Sequence, residues 1–135
     1  MLSLGASAGV NYKQNPDWDK WAKAQTGEGV DLVVEVGGAG TLERSVKATR
    51  PGGQIALIGV LAGGKGFDPM GMMMKGITLR GIYVGSRAMF ERMNAAVEKY
   101  AIRPVVDKVF AFDDFRAAFG HLEAAGHFGK VVVKV

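Results

Sequence analysis

Three apolar runs in this chain stop abruptly at glycine. They are Val30-Asp31-Leu32-Val33-Val34-Glu35-Val36 before Gly37-Gly38-Ala39-Gly40, Gln54-Ile55-Ala56-Leu57-Ile58 before Gly59, and Ile77-Thr78-Leu79-Arg80-Gly81-Ile82-Tyr83-Val84 before Gly85. Rich in β-branched residues and with too few polar breaks for a half-exposed strand, they read as buried parallel strands. Helical patterns lie between them. Residues 41–50 place Leu42, Ser45, Val46 and Thr49 on one face, with Pro51-Gly52-Gly53 as the stop, and Asp68-Pro69 starts a short helix through Met74. The methionines of residues 70–74 read as core filler or interface. Strands alternating with helices predict an α/β fold with a mainly parallel sheet.

The same signals extend to both ends. Val10-Asn11-Tyr12 forms a short apolar stub. Asn15-Pro16-Asp17 opens a helix with acids in its first turn, Trp18, Trp21 and Ala22 face a sheet, and Gly27 stops it. Ser86 caps a helix striped with Met89, Phe90, Met93, Val97 and Tyr100. Pro104 marks a boundary, so the expected units are residues 1–102 and 103–135. The second unit reads as a strand from Val105 to Phe110, a helix capped by Asp113 with Phe115, Phe119 and Leu122 turned inward, and a last strand from Lys130.

Composition removes several classes of function. The 17 basic and 13 acidic residues give +4, and the basic ones are spread rather than clustered, which argues against a nucleic-acid or membrane-surface partner. Without cysteine there is no disulfide and no thiolate-bound zinc. No apolar run reaches the ~20 residues of a membrane span, and a soluble, cytoplasmic protein is expected. His121 and His127, the two histidines, lack metal-site spacing and read as a helix-surface residue and a helix-end residue near the last carbonyls. Glu35, inside an apolar strand, reads as an acid satisfied by its neighbours, and no nucleophile–base pair is evident.

In an open parallel sheet, ligands bind beyond the carboxyl ends of the strands, so Gly37-Gly38, Gly59 and Gly85 would line one crevice suited to a dinucleotide. The glycine fingerprint itself is absent, since the sixth position counted from Gly38 is Glu43. No acid closes the strand ending at Gly59 to hold a ribose, which also weakens a methyltransferase reading.

Taken together, residues 30–38, 50–59 and 76–81, and a tail running from Pro104-Val105-Val106-Asp107 through Phe115, Ala118 and Phe119 to residues 126–133, resemble a known family. They are similar to the second half of the cofactor domain, and the closing segment, of medium-chain, zinc-type alcohol dehydrogenases and their quinone-reductase relatives, over essentially the whole chain. The resemblance implies a partial Rossmann-like, doubly wound parallel sheet holding strands three to six of the family order, followed by a strand–helix–strand segment that returns to the catalytic domain. In that scheme residues 10–12 belong to the third strand.

The implied cofactor is NAD or NADP. Val36, Gly37 and Gly38 would line its adenosine side, Ile58, Gly59 and Val60 would lie beside the nicotinamide, and the backbone at Ile82 and Val84 would bind the carboxamide. Lys130 stands where the family often places a base near the pyrophosphate, although a lone lysine before a strand reads equally as a solvated charge. The family's zinc ligands, glycine fingerprint and ribose-selecting strand would all precede this stretch. A truncated portion of a hydride-transferring oxidoreductase, without zinc or catalytic residues and inactive alone, is therefore expected. Strand 30–36 becomes a bare apolar edge and strand 77–84 the other edge, so a homo-oligomer is expected. A non-catalytic module that pairs through these edges is the other reading.

Overall fold

The computed structural model describes residues 1–60 and 66–135, and the chain divides into two compact units, Met1–Val84 and Gly85–Val135. In the first, the expected alternation is present. Helix α1 (Trp18–Thr26) leads to strand β1 (Val30–Glu35), helix α2 (Leu42–Ala48), strand β2 (Thr49–Leu57), helix α3 (Met70–Lys75) and strand β3 (Thr78–Gly81). The strands form a sheet in the order β1-β2-β3, with both pairings parallel. β1 and β3 are therefore its two edges, as the sequence predicts.

The core lies on one face of this sheet. Leu42 and Val46 of α2 pack on Ile55, which is fully buried, and on Ile77, with Val33, Leu57, Phe67, Met72 and Leu79 around them. Only Met72 of the methionine cluster joins that core, while Met70, Met73 and Met74 are exposed. α2 is short and its last carbonyls need partners. The Lys75 ammonium supplies them, donating to the carbonyls of Val46, Lys47 and Thr49 at 2.7 to 2.8 Å.

Several boundaries differ from the sequence reading. α1 begins two residues after Pro16, and the residue it buries most is Asp19, which takes an ion pair from Arg44 of α2. Pro51-Gly52-Gly53 does not simply stop a helix. It lies within β2, where Val30 pairs with Thr49 and Leu32 with Gln54, so the intervening residues bulge out of register. Arg50 closes this bulge on Asp31 at 2.6 Å. Residues 10–12 form no strand; Val10 and Tyr12 line a groove beside β1 without pairing to it. β3 is shorter than the run 77–84, and its last bond beyond the ladder is from Ile82 N to Leu57 O at 2.8 Å.

The second unit begins with helix α4 (Arg87–Lys99), capped as expected by Ser86, whose Oγ accepts from Met89 N at 3.3 Å. Strands β4 (Val106–Ala111) and β5 (Lys130–Lys134) pair in parallel, joined by helix α5 (Phe115–Glu123). Asp113 does not cap α5: it sits in a 3-10 turn, Phe112–Asp114, that feeds the helix directly. α5 buries Ala118, whereas Phe115, Phe119 and Leu122 are exposed, contrary to the inward face expected of them. Phe119 and Leu122 instead form, with Ala118, Val131 and Val133, an open apolar groove.

Candidate functional site

The sheet ends where its glycines sit. Beyond the last ladder pair of Glu35 and Leu57, the amides of Ile58 and Gly59 both donate to the main-chain carbonyl of Glu35 at 2.9 Å. Gly38 has a φ of 74°, and a Cβ on it would stand 2.7 Å from the Gly59 carbonyl oxygen. A Cβ on Gly59 would stand 2.6 Å from the Gly38 nitrogen. The two turns therefore touch backbone to backbone, an approach that only glycine allows.

Of the residues singled out from the sequence, Val36, Gly37, Gly38, Ile58, Gly59 and Val60 are brought together on this crest, and Ile82 lies beside it through its bond to Leu57. Val36 and Val60 are about three-quarters exposed there, at 71% and 75%. Val84 is exposed at the end of the first unit. Lys130 belongs to the second unit, where it opens β5 and donates its amide to Val105 O at 2.9 Å.

Beneath the crest sits a carboxylate. Glu35 is 3% exposed; its Oε1 accepts from Gly37 N at 2.7 Å, Gly38 N at 3.0 Å and Thr41 Oγ1 at 2.6 Å, and its Oε2 accepts from Ser45 Oγ. Burial alone would push this carboxyl up, but hydrogen bonds from Ser45, Thr41, Gly37 and Gly38 outweigh it and hold the group below its ordinary value. The sequence reading of Glu35 as a locally satisfied acid agrees with this geometry. It did not identify Thr41 and Ser45 as the partners, although a serine on the inward face of α2 opposite a buried acid was the available signal.

A second polar cluster, unforeseen from sequence, lies in the other unit. His121 Nε2 meets Asp107 Oδ2 at 2.8 Å, Phe128 N donates to Asp107 Oδ1 at 3.1 Å, and the His121 and His127 rings are 6.0 Å apart. The His121 bond, followed by that of Phe128, lowers the Asp107 carboxyl from its ordinary value. His121 is thus half-buried and engaged rather than a free surface residue. His127 Nδ1 is buried without a partner rather than meeting helix carbonyls. With both Asp107 oxygens committed, and no three ligand-type side chains converging among the described residues, this cluster does not fit a zinc centre.

Along the free edge of β1 runs a groove of about 400 Å³, lined by Val10, Tyr12, Trp18, Val34 and Val36 among others. It is mainly apolar, and Glu35, Thr41 and Ser45 also contribute to its wall. No helix among the described residues is long and apolar enough to cross a membrane.

A parallel sheet backed by helices, with glycine turns crowded at its carboxyl end, defines an α/β protein of the Rossmann-like, nucleotide-binding class. Residues 1–99 match the family model described as zinc-binding dehydrogenase, and the chain belongs to that family. It is 40% identical to a zinc-type alcohol dehydrogenase-like protein of Schizosaccharomyces pombe, over 98% of this chain and 40% of that one. Among solved structures, a Sinorhizobium meliloti protein assigned as an alcohol dehydrogenase superposes with a TM-score of 0.87 at 35% identity, over 99% of this chain and 39% of the other. A quinone oxidoreductase of Thermus thermophilus, also solved with NADPH, gives 0.73 at 33% identity, over 99% and 44%. The chain thus spans about two fifths of the length of the relatives it matches.

Proposed function

We propose that this chain is the carboxyl-terminal, cofactor-binding portion of a zinc-type alcohol dehydrogenase-like oxidoreductase that moves hydride between an alcohol or carbonyl compound and NAD or NADP. The observation that carries this reading is the crest itself: two glycine turns at the carboxyl ends of adjacent parallel strands, packed backbone to backbone, with Val36 and Val60 as the exposed side chains beside them. Such a surface lets a flat ring approach the main chain closely. In this reading Val36, Gly37 and Gly38 flank the adenosine side, Ile58, Gly59 and Val60 flank the nicotinamide, and main-chain groups of Ile82 and Val84 orient its carboxamide. Lys130, in the second unit, is the residue for which the resemblance implies a role near the pyrophosphate. When bound, the nicotinamide supplies the hydride donor or acceptor; the residues of this chain hold and orient it.

Residues 1–102 then form part of the dinucleotide domain, a reading supported by the family match over residues 1–99, and residues 103–135 form the segment that returns toward a catalytic domain. In this reading these residues bind and orient the cofactor, and the groups that act on the substrate belong to the catalytic domain of the family. Its proposed compartment is the cytoplasm, which a fluorescent fusion tests.

A second reading is favoured by one specific observation. Leu32 and Val34 on the outer face of β1, and Val36 just beyond its end, are exposed at 54%, 58% and 71%, beside a strand edge unpaired among the described residues. A module that self-associates through strands 30–36 and 77–84 would cover them. Calorimetric titration separates the two. Saturable heat with NADH or NADPH supports the cofactor reading, whereas silence with both, together with concentration-dependent oligomers in sedimentation, supports the module.

A further inference from the structure

We propose that Glu35 is a positioning residue for the ligand-facing crest: its carboxylate fixes the turn after its own strand, its main-chain carbonyl fixes the turn after the next, and the two glycine turns are thereby held as one body. The ligand's identity rests on the dinucleotide reading above; the coupling does not.

The chemistry of the pocket argues for a purpose beyond packing. All four groups that donate to the carboxylate, the amides of Gly37 and Gly38 and the hydroxyls of Thr41 and Ser45, are neutral, so this buried charge has no opposite charge bonded to it. Burying an unpaired charge is costly, and an apolar residue would fill the same space at lower cost. A carboxylate accepts several donors at once, however, and short bonds to an ionised acceptor are stronger and better oriented than neutral ones. Glu35 therefore suits a turn that must be held in one conformation. Its carbonyl extends the hold, because Ile58 and Gly59 both donate to it at 2.9 Å.

The arrangement also restricts what the crest accepts. The amides of Gly37 and Gly38, which could otherwise cradle a phosphate, point inward at Glu35. What faces outward is main chain and the exposed side chains of Val36 and Val60. This rim therefore takes an uncharged ring or sugar of the ligand, and the carboxylate turns its phosphates away.

The test uses the whole chain, amide NMR and hydrogen exchange. In the wild type, lowering the pH should shift the amides of Gly37, Gly38 and Gly59 along one shared titration curve. A Gly59 amide that ignores the curve followed by Gly37 and Gly38 overturns the coupling. In Glu35→Gln, which keeps the shape but removes the charge, Ile58 and Gly59 should exchange about tenfold faster, although their acceptor is the unaltered main-chain carbonyl. Loss of protection confined to Gly37 and Gly38 again overturns it. NADH affinity should fall about tenfold in the same variant while the folded signal persists. If the wild type does not bind NADH, the dinucleotide reading fails and the Gly59 measurements still decide the coupling. Inorganic pyrophosphate should leave the Gly37 and Gly38 amides of the wild type unmoved; a shift there refutes the exclusion of phosphate. Should Glu35→Gln fail to fold, the wild-type titration and the pyrophosphate experiment decide alone.

Discussion

The two faces of β1 are built from one continuous run, yet they have opposite fates. Inward, Val33 joins the core and Glu35 is almost wholly buried; outward, Leu32, Val34 and Val36 lie open. The most buried side chain of this segment is the Glu35 carboxylate, while three aliphatic side chains lie more than half exposed. Hydrophobicity therefore does not decide the face. What decides it is the presence of α2, which offers Leu42 and Val46 to the apolar residues and Ser45 to the acid.

The most direct way to break this comparison is to remove the centre of the covered face. Ile55 is fully buried against Leu42, Val46 and Ile77, and Ile55→Ala should destabilise the first unit by about 2–5 kcal/mol. Urea unfolding followed by tryptophan fluorescence measures this, because Trp18 and Trp21 both lie in that unit. A loss below about 1 kcal/mol would mean that α2 does not seal the sheet as described. Next in size comes Ser45→Ala, which leaves Glu35 Oε2 without its donor inside the protein and should cost about 2 kcal/mol in the same assay.

How much of this was legible beforehand depended on whether the signal was local. The parallel β1-β2-β3 sheet, its two edges, the Ser86 cap and the position of Gly38 and Gly59 at adjacent strand ends all follow from short motifs: β-branched runs, a serine before a helix, glycine after a strand. The exposure of Phe115 and Phe119 did not, since an apolar residue carries no mark of whether a neighbour will cover it. Pro51-Gly52-Gly53 misled for a related reason. A helix stop and a strand bulge use the same residues, and only the pairing of Asp31 with Arg50 separates them. The Asp107–His121 contact joins residues 14 positions apart on different elements, so neither alone announced it.

The acid also ties the covered face to pH. Because the folded state holds the Glu35 carboxyl below its ordinary value of 4.5, ionisation contributes stability that is fully present above that value and is lost as pH falls through the folded one. Asp107, held down by His121, adds a limb of the same sign in the second unit. Asp17, held down by Lys20, and Asp31, held down by Arg50, add limbs of that sign in the first unit. Stability measured against pH should therefore decline on the acid side, and Glu35→Gln should remove only the part that Glu35 contributes. A decline of unchanged steepness in that variant would assign the acid sensitivity to other carboxylates.

The smallest expected effect on folding is the most informative about the outer face. Val34 is more than half exposed, so Val34→Lys should change unfolding stability by no more than about 0.5 kcal/mol if that face is bare in solution. A charge there would nevertheless oppose any pairing of β1 with another strand, and sedimentation should show a smaller oligomeric fraction than in the wild type. Were the variant instead to lose stability on the scale of Ile55→Ala, the outer face would have to be covered in solution by a second molecule. Folding and association would then be one equilibrium, recognisable because the loss would shrink as protein concentration rises. A variant that changes neither stability nor association would leave the asymmetry of the two faces intact and refute pairing through β1.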